Sequence, residues 1–93
     1  MAKAPSEWAY HFLLGLAEER TGQVGQAGES FETSVRLNPD CAECYSRLGE
    51  LAMRANSPER AIKNFERAVQ LEPGKSEYRL NLEMANRALG QKP

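Results

Sequence analysis

The stretch that decides the fold is Tyr45–Pro73, YSRLGELAMRANSPERAIKNFERAVQLEP. Tyr45, Leu48, Gly49 and Ala52 recur at helical spacing, so they share one face of a helix. Ala61, Phe65 and Ala68 do the same. Between the two runs lies Ala55-Asn56-Ser57-Pro58. Asn tolerates a left-handed backbone, Ser can cap a helix start, and Pro is preorganised for the first helical position. The spacing therefore predicts a helix, a tight turn, and a second helix stopped at Pro73-Gly74. The two apolar stripes must cover each other, and the small Gly49, Ala61 and Ala68 allow close approach.

Working outward, the same pattern recurs one period earlier. Leu14, Gly15, Ala27, Phe31 and Pro39 stand 34 residues before Leu48, Gly49, Ala61, Phe65 and Pro73. Ser34 stands for Ala68, and His11 for Tyr45. Matches at one fixed period make an internal repeat. Pro5-Ser6-Glu7 is expected to open the first helix, with Ser6 as its cap, and Trp8 to Thr21 to continue it. Gly22 stops it. Gln23 to Leu37 forms the second helix, which contains Gly25 and Gly28 and is expected to be the weakest, since each Gly costs about 1 kcal/mol against Ala. A third unit begins at Ser76 with Tyr78, Leu82, Ala85 and Leu89 on an apolar stripe. Its Arg79, Glu83 and Asn86 replace Tyr45, Gly49 and Ala52. These polar residues suit a closing helix with no mate to cover it, and Arg79 and Glu83 are spaced to pair.

Tyr45, Leu48, Gly49, Ala61, Phe65, Ala68 and Pro73 resemble the tetratricopeptide repeat, with Ala52 in place of its usual second aromatic. The resemblance covers nearly the whole chain. It implies an all-α helical solenoid of about two and a half repeats: five antiparallel helices in a right-handed superhelix. One domain spans 1–93, with a tail at 1–7, repeat one at 8–41, repeat two at 42–75, a capping helix at 76–90 and a tail at 91–93.

Composition narrows the function. The chain has 93 residues, 41% hydrophobic and 27% charged, ordinary for one soluble globular domain. A net charge of −1 gives no electrostatic reason to expect nucleic acid or an anionic membrane. No apolar run approaches a membrane span, and residues 1–5 are too short and polar for a signal peptide. A cytoplasmic location is expected, and two cysteines without scaffold density agree with a reducing compartment.

Cys41-Ala42-Glu43-Cys44 has the spacing of redox motifs and zinc ligands. The βαβ setting of the former is missing, and only His11 remains as a further Cys or His ligand. Cys44 is expected to fill a helix-packing slot and Cys41 a linker slot. His11, in the aromatic slot, is expected to pack. Gly22, Gly25 and Gly28 follow no strand and make no phosphate loop. No nucleophile–base constellation emerges, so no enzymatic activity, cofactor or metal is expected.

The family resemblance implies a concave face built by the first helix of each unit. Its slots here are Ala9, Phe12, Leu16 and Glu19; Glu43, Ser46, Glu50 and Met53; Glu77, Leu80, Met84 and Arg87. The expected groove is an apolar strip of Phe12, Leu16, Met53, Leu80 and Met84 edged by Glu43, Glu50 and Glu77. Some relatives clamp the C-terminal carboxylate of heat-shock chaperones with Lys, Arg and two Asn. The matching positions are Phe12, Leu16, Arg47, Glu77 and Asn81, three of which offer no donor, so that function is rejected. The expected role is a protein–protein interaction module, an adaptor or co-chaperone-like scaffold, holding an apolar or amphipathic segment with basic flanks. Self-assembly through the Trp8 end, where Trp8, Tyr10 and Phe12 gather, is the alternative, a Cys-x-x-Cys redox or zinc-binding protein is the third reading, and a weakly associating monomer is expected.

Overall fold

The computed structural model describes residues 6–91; of the tails expected at 1–7 and 91–93, residues 1–5 and 92–93 lie outside them, as does the helix start at Pro5, and Ser6 and Glu7 are helical. Five helices follow in order: α1 (Ser6–Arg20), α2 (Val24–Leu37), α3 (Ala42–Arg54), α4 (Pro58–Leu71) and α5 (Ser76–Gly90). Ser6 is itself the first helical residue of α1. Among the described residues there is no strand. The connections are short, which makes successive helices antiparallel neighbours.

The turns repeat as faithfully as the helices. At the end of α3, Asn56 takes a positive φ of 59°. The Ser57 N–H then donates to the Ala52 carbonyl at 2.9 Å and the Asn56 N–H to Met53 at 2.9 Å. Thirty-four residues earlier, Gly22 takes a φ of 83°, and Gln23 N–H reaches the Glu18 carbonyl at 2.8 Å. Both are left-handed helix stops that satisfy otherwise orphaned carbonyls. Ser57 stands at the start of α4, but its side chain makes no capping hydrogen bond. Its carbonyl instead accepts from Arg60 and Ala61, and Pro58 presets the first turn.

The core is three clusters: the first joins α1, α2 and α3, and the other two join α3, α4 and α5. Ala27, Phe31 and Leu51 gather Phe12, Leu16 and Leu48. Ala52, Ala61, Phe65 and Ala85 gather Met53, Ile62 and Leu82. Ala42, Ala68 and Tyr78 gather Tyr45, Val69 and Leu71. Phe31 and Phe65 are the pivots. Burying each stabilises by ~1.5–3 kcal/mol.

Several details differ from the sequence-based expectation. Arg79 donates to the Pro73 carbonyl instead of pairing with Glu83, and Glu83 lies 4.0 Å from Arg87. Leu89 is exposed, although Tyr78 and Ala85 of the same stripe are buried. Cys44 is fully buried, as its packing slot requires, with its sulfur 3.3 Å from Ser34 Oγ. Cys41 is not a linker residue: it caps α3, its sulfur accepting the Cys44 N–H at 3.1 Å, and the two cysteines are joined in a disulfide. The spacing explains this. A cap residue and the third helical residue lie on one side of the first turn, with Cα atoms 5.3 Å apart, inside the range a disulfide spans.

Candidate functional site

The expected groove residues lie on α1, α3 and α5, and two clefts gather part of them. A cleft of about 460 Å³ on one side of α3 is lined by Leu16, Glu19 and Arg20 of α1 with Arg47 and Arg54 of α3. A second, of about 180 Å³, is lined by Glu50 and Met53 of α3, Asn81 and Met84 of α5, and Phe65 of α4. Of the expected strip, Leu16 lines the first cleft and Met53 and Met84 the second; Leu80 lines a separate depression on α5 with Glu77, and Phe12 packs on the Phe31 cluster.

Each half has a different character. In the first, Phe12 and Leu16 are half-buried and lean on the Phe31 cluster, the Phe12 and Phe31 ring centroids 5.8 Å apart. They serve as wall more than as free surface. Arg54 crosses to Glu19 at 3.3 Å and ties α1 to α3. In the second, Met84 is 52% exposed and Met53 is half-buried against the Phe65 cluster; Leu80, on α5 outside that lining, is 55% exposed. Glu77 is exposed. Ser46, expected on this face, is buried.

The charges are coupled through α3. Arg47 lies 3.3 Å from Glu43 and 3.6 Å from Glu50. Such surface pairs contribute little to stability, but they fix where the carboxylates stand. Burial pushes the Glu50 carboxyl above the usual carboxylate range; Arg47 pulls it down, and the charges of Glu19, Glu77 and Glu43 push it up again. Carboxylates from three helices thus act on Glu50. Tyr78 is pushed up to about 12, first by burial and then by the carboxylates of Glu43, Glu72 and Glu77, and its hydroxyl donates to Glu43 at 3.5 Å.

One donor in the second cleft has no protein partner. Among the described residues, Asn81 Nδ2 is the buried side-chain polar atom left without a hydrogen bond. An orphaned donor of this kind is stabilised by an acceptor supplied from outside. The sequence placed Asn81 only in the chaperone-clamp comparison, and it did not single out Arg54. Helical spacing signals both, since Arg54 follows Arg47 by seven residues and Asn81 precedes Met84 by three.

The remaining sequence motifs fall elsewhere. His11 is half-buried and packs edge-on against Tyr10, ring centroids 5.2 Å apart. Tyr45 packs in the third cluster beneath the Arg67 guanidinium, 5.8 Å from its ring centroid. No group of three His, Cys, Asp or Glu among the described residues is arranged to hold a metal ion. No helix of the described residues is long and apolar enough to cross a membrane.

Comparison with known proteins agrees with this geometry. The family model of the tetratricopeptide repeat matches residues 1–42, 14–76 and 46–92. A peroxisomal targeting signal receptor of Yarrowia lipolytica is 33% identical over 75 residues, which cover 80% of this chain and 12% of the receptor. Protein FlbA of Caulobacter vibrioides is 35% identical over 83 residues, 89% of this chain and 14% of that protein. The chain thus spans about an eighth of these relatives' length. Among solved structures, MamA superposes with a TM-score of 0.87 at 20% identity, covering 92% of this chain and 50% of MamA. The first repeat domain of Spaghetti (RPAP3), bound to the HSP90 peptide SRMEEVD, superposes with a TM-score of 0.86 at 26% identity, covering 95% of this chain and 70% of that one.

Proposed function

The chain belongs to the tetratricopeptide repeat family, and from that premise we propose that it is a protein–protein interaction module whose α3–α5 cleft holds an apolar or amphipathic segment with basic flanks. The observation that carries this reading is the cleft of Glu50, Met53, Asn81 and Met84, with its partnerless amide donor. Met53 and Met84 supply adaptable apolar contact. Asn81 Nδ2 supplies a hydrogen bond to a backbone carbonyl. Glu43, Glu50 and Glu77 supply negative charge for Lys or Arg flanking the apolar residues.

Two similar proteins are, by their names, a targeting-signal receptor and an HSP90-peptide complex, which supports a peptide-sized partner here. The chemistry of the partner differs. SRMEEVD is acidic, and Glu77 with the partly buried Glu50 disfavours a second acidic chain. The module acts as an adaptor or co-chaperone-like scaffold, without catalysis, cofactor or metal. The expected cytoplasmic location stays part of the proposal; there the Cys41–Cys44 pair would be held as thiols by the glutathione pool.

A peptide array tests the partner class. Peptides with apolar residues at helical spacing and Lys or Arg at their ends are expected to bind, and SRMEEVD is not. Preferential binding of acidic C-terminal peptides contradicts the proposal.

A second reading, self-association, is favoured by one observation: Tyr10 and Leu13 on α1 are 62% and 61% exposed. The half-buried Trp8, expected to lead such stacking, instead offers its carbonyl to Ser34 Oγ at 2.8 Å.

A further inference from the structure

The repeat itself says what the outer side of α1 is shaped to receive. Tyr10, Leu14 and Ala17 occupy the same register as Cys44, Leu48 and Leu51 of α3, and as Tyr78, Leu82 and Ala85 of α5. In α3 those positions are covered by α2: Leu48 and Leu51 pack on Ala27 and Phe31, and Cys44 meets Ser34. In α5 they are covered by α4: Leu82 and Ala85 pack on Ala61, Ile62 and Phe65, and Tyr78 on Ala68 and Val69. In α1 no helix of the described residues lies over that register. Of the register positions, Tyr10 and Ala17 are exposed and Leu14 is half-buried, and Leu13 beside them is exposed.

The stripe continues at both ends into exposed charges, Glu7 before Tyr10 and Arg20 after Ala17. Its order is acid, large ring, leucine, small residue, base. Turned end for end, that order complements itself. With a two-fold axis between Leu13 and Leu14 of antiparallel helices, Glu7 meets Arg20 of the second copy, Tyr10 meets Ala17, and Leu13 meets Leu14. Acid meets base at Glu7–Arg20, large meets small at Tyr10–Ala17, and leucine meets leucine between them.

Resting on the self-association reading above, we propose that the outer face of α1 is a homodimer interface, in which two copies pair their first helices antiparallel about that axis. The second copy supplies the helix that α2 supplies to α3 and α4 supplies to α5. One helix face is smaller than the roughly 800 Å² per partner of a stable complex, so the dimer is weak, half-formed at on the order of 100 μM rather than nanomolar. The α3–α5 cleft includes no residue of α1 and remains open in both copies, while Arg20 stands at the border between the interface and the α1–α3 cleft.

Sedimentation equilibrium of the whole chain from ~10 μM to ~1 mM tests this with charge-swapped variants. Glu7→Arg and Arg20→Glu are each expected to weaken the homodimer by roughly tenfold, because each change faces two like-charge pairs. An equimolar mixture of the two is expected to recover wild-type association. In the mixed dimer the introduced arginine of one copy meets the introduced glutamate of the other, and the native Arg20 meets the native Glu7. Leu13→Glu is expected to leave a monomer at every concentration, with unchanged helical circular dichroism. A wild-type chain monomeric to millimolar concentration overturns the proposal, as does a dimer indifferent to the swaps. A dimer abolished by Leu80→Glu and Met84→Glu but not by Leu13→Glu shows that the copies meet through the cleft face, and also overturns it. Peptide binding by the Leu13→Glu monomer reads the cleft proposal independently, so the two readings fail separately.

Discussion

Phe65 lies so flat against the backbone of Gly49 that a β-carbon at Gly49 would collide with its ring. The same contact recurs 34 residues earlier, where a β-carbon on Gly15 would stand 2.7 Å from Phe31 Cε1. These two glycine–phenylalanine contacts lock each helix pair of the solenoid. Phe65 is 2% exposed, so it has nowhere to go. Gly49→Ala is expected to destabilise the domain by ~1–3 kcal/mol, which urea denaturation will read as a lower midpoint.

The glycines of α2 predict the opposite. A β-carbon on Gly25 meets nothing within 4 Å, and one on Gly28 only Leu51 Cδ1 at 3.9 Å, an ordinary contact. Gly28 stands in the register of Ile62, which packs on the Phe65 cluster. Where unit two has that side chain, unit one has a cleft of about 280 Å³. Gly25→Ala and Gly28→Ala are each expected to raise stability by about 1 kcal/mol. Failure of both to raise the denaturation midpoint would remove α2 as the weak helix.

The cysteine pair predicts a chemical result. Purified under air, the chain is expected to show no free thiols until reductant is added, and then two. Reduction is expected to lower stability by ~2 kcal/mol or less, the scale for closing so short a loop. Two reactive thiols in native protein without reductant would contradict the disulfide.

The fold was legible because its signal is periodic. The Leu-Gly pair, the Ala and Phe slots and the closing Pro recur with the helical period inside a 34-residue one, and composition cannot imitate that. The polar Arg79, Glu83 and Asn86 are exposed, but Arg79 bonds to the Pro73 carbonyl and not to Glu83. Side-chain partners depend on loop geometry that spacing does not encode. The concave face was legible only in part for the same reason. The family register gave the side of the helix, but Phe12 and Leu16 double as packing for Phe31, and Ser46 is buried. Asn81 escaped notice because an orphaned donor exists only once its neighbours are in place. The disulfide was missed because the cytoplasmic expectation outweighed the geometry of a helix cap.

Glu50 makes the cleft pH-sensitive. Its pKa is raised in the folded chain, chiefly by burial, so the folded state holds this proton more tightly than the unfolded state. Stability is therefore expected to fall as pH rises from the ordinary carboxylate range through the raised value. Glu50→Gln removes that component, and a thermal melt series across mildly acidic pH will show a flatter profile. Binding of a basic segment needs the ionised form, so affinity is expected to rise over the same pH window. A wild-type profile identical to that of the Gln variant would contradict the assignment.

The most direct test of the account is an NMR titration of the labelled chain with an amphipathic peptide flanked by Lys. The predicted result is saturable shifts centred on Glu50, Met53, Asn81 and Met84, abolished in a Leu80→Glu, Met84→Glu variant. Both residues are more than half exposed, so that variant is expected to stay folded, within ~1 kcal/mol of wild type. SRMEEVD, titrated alongside, is predicted to leave the cleft resonances unmoved. Shifts confined to another face, or equal binding of the acidic peptide, would contradict the central claim.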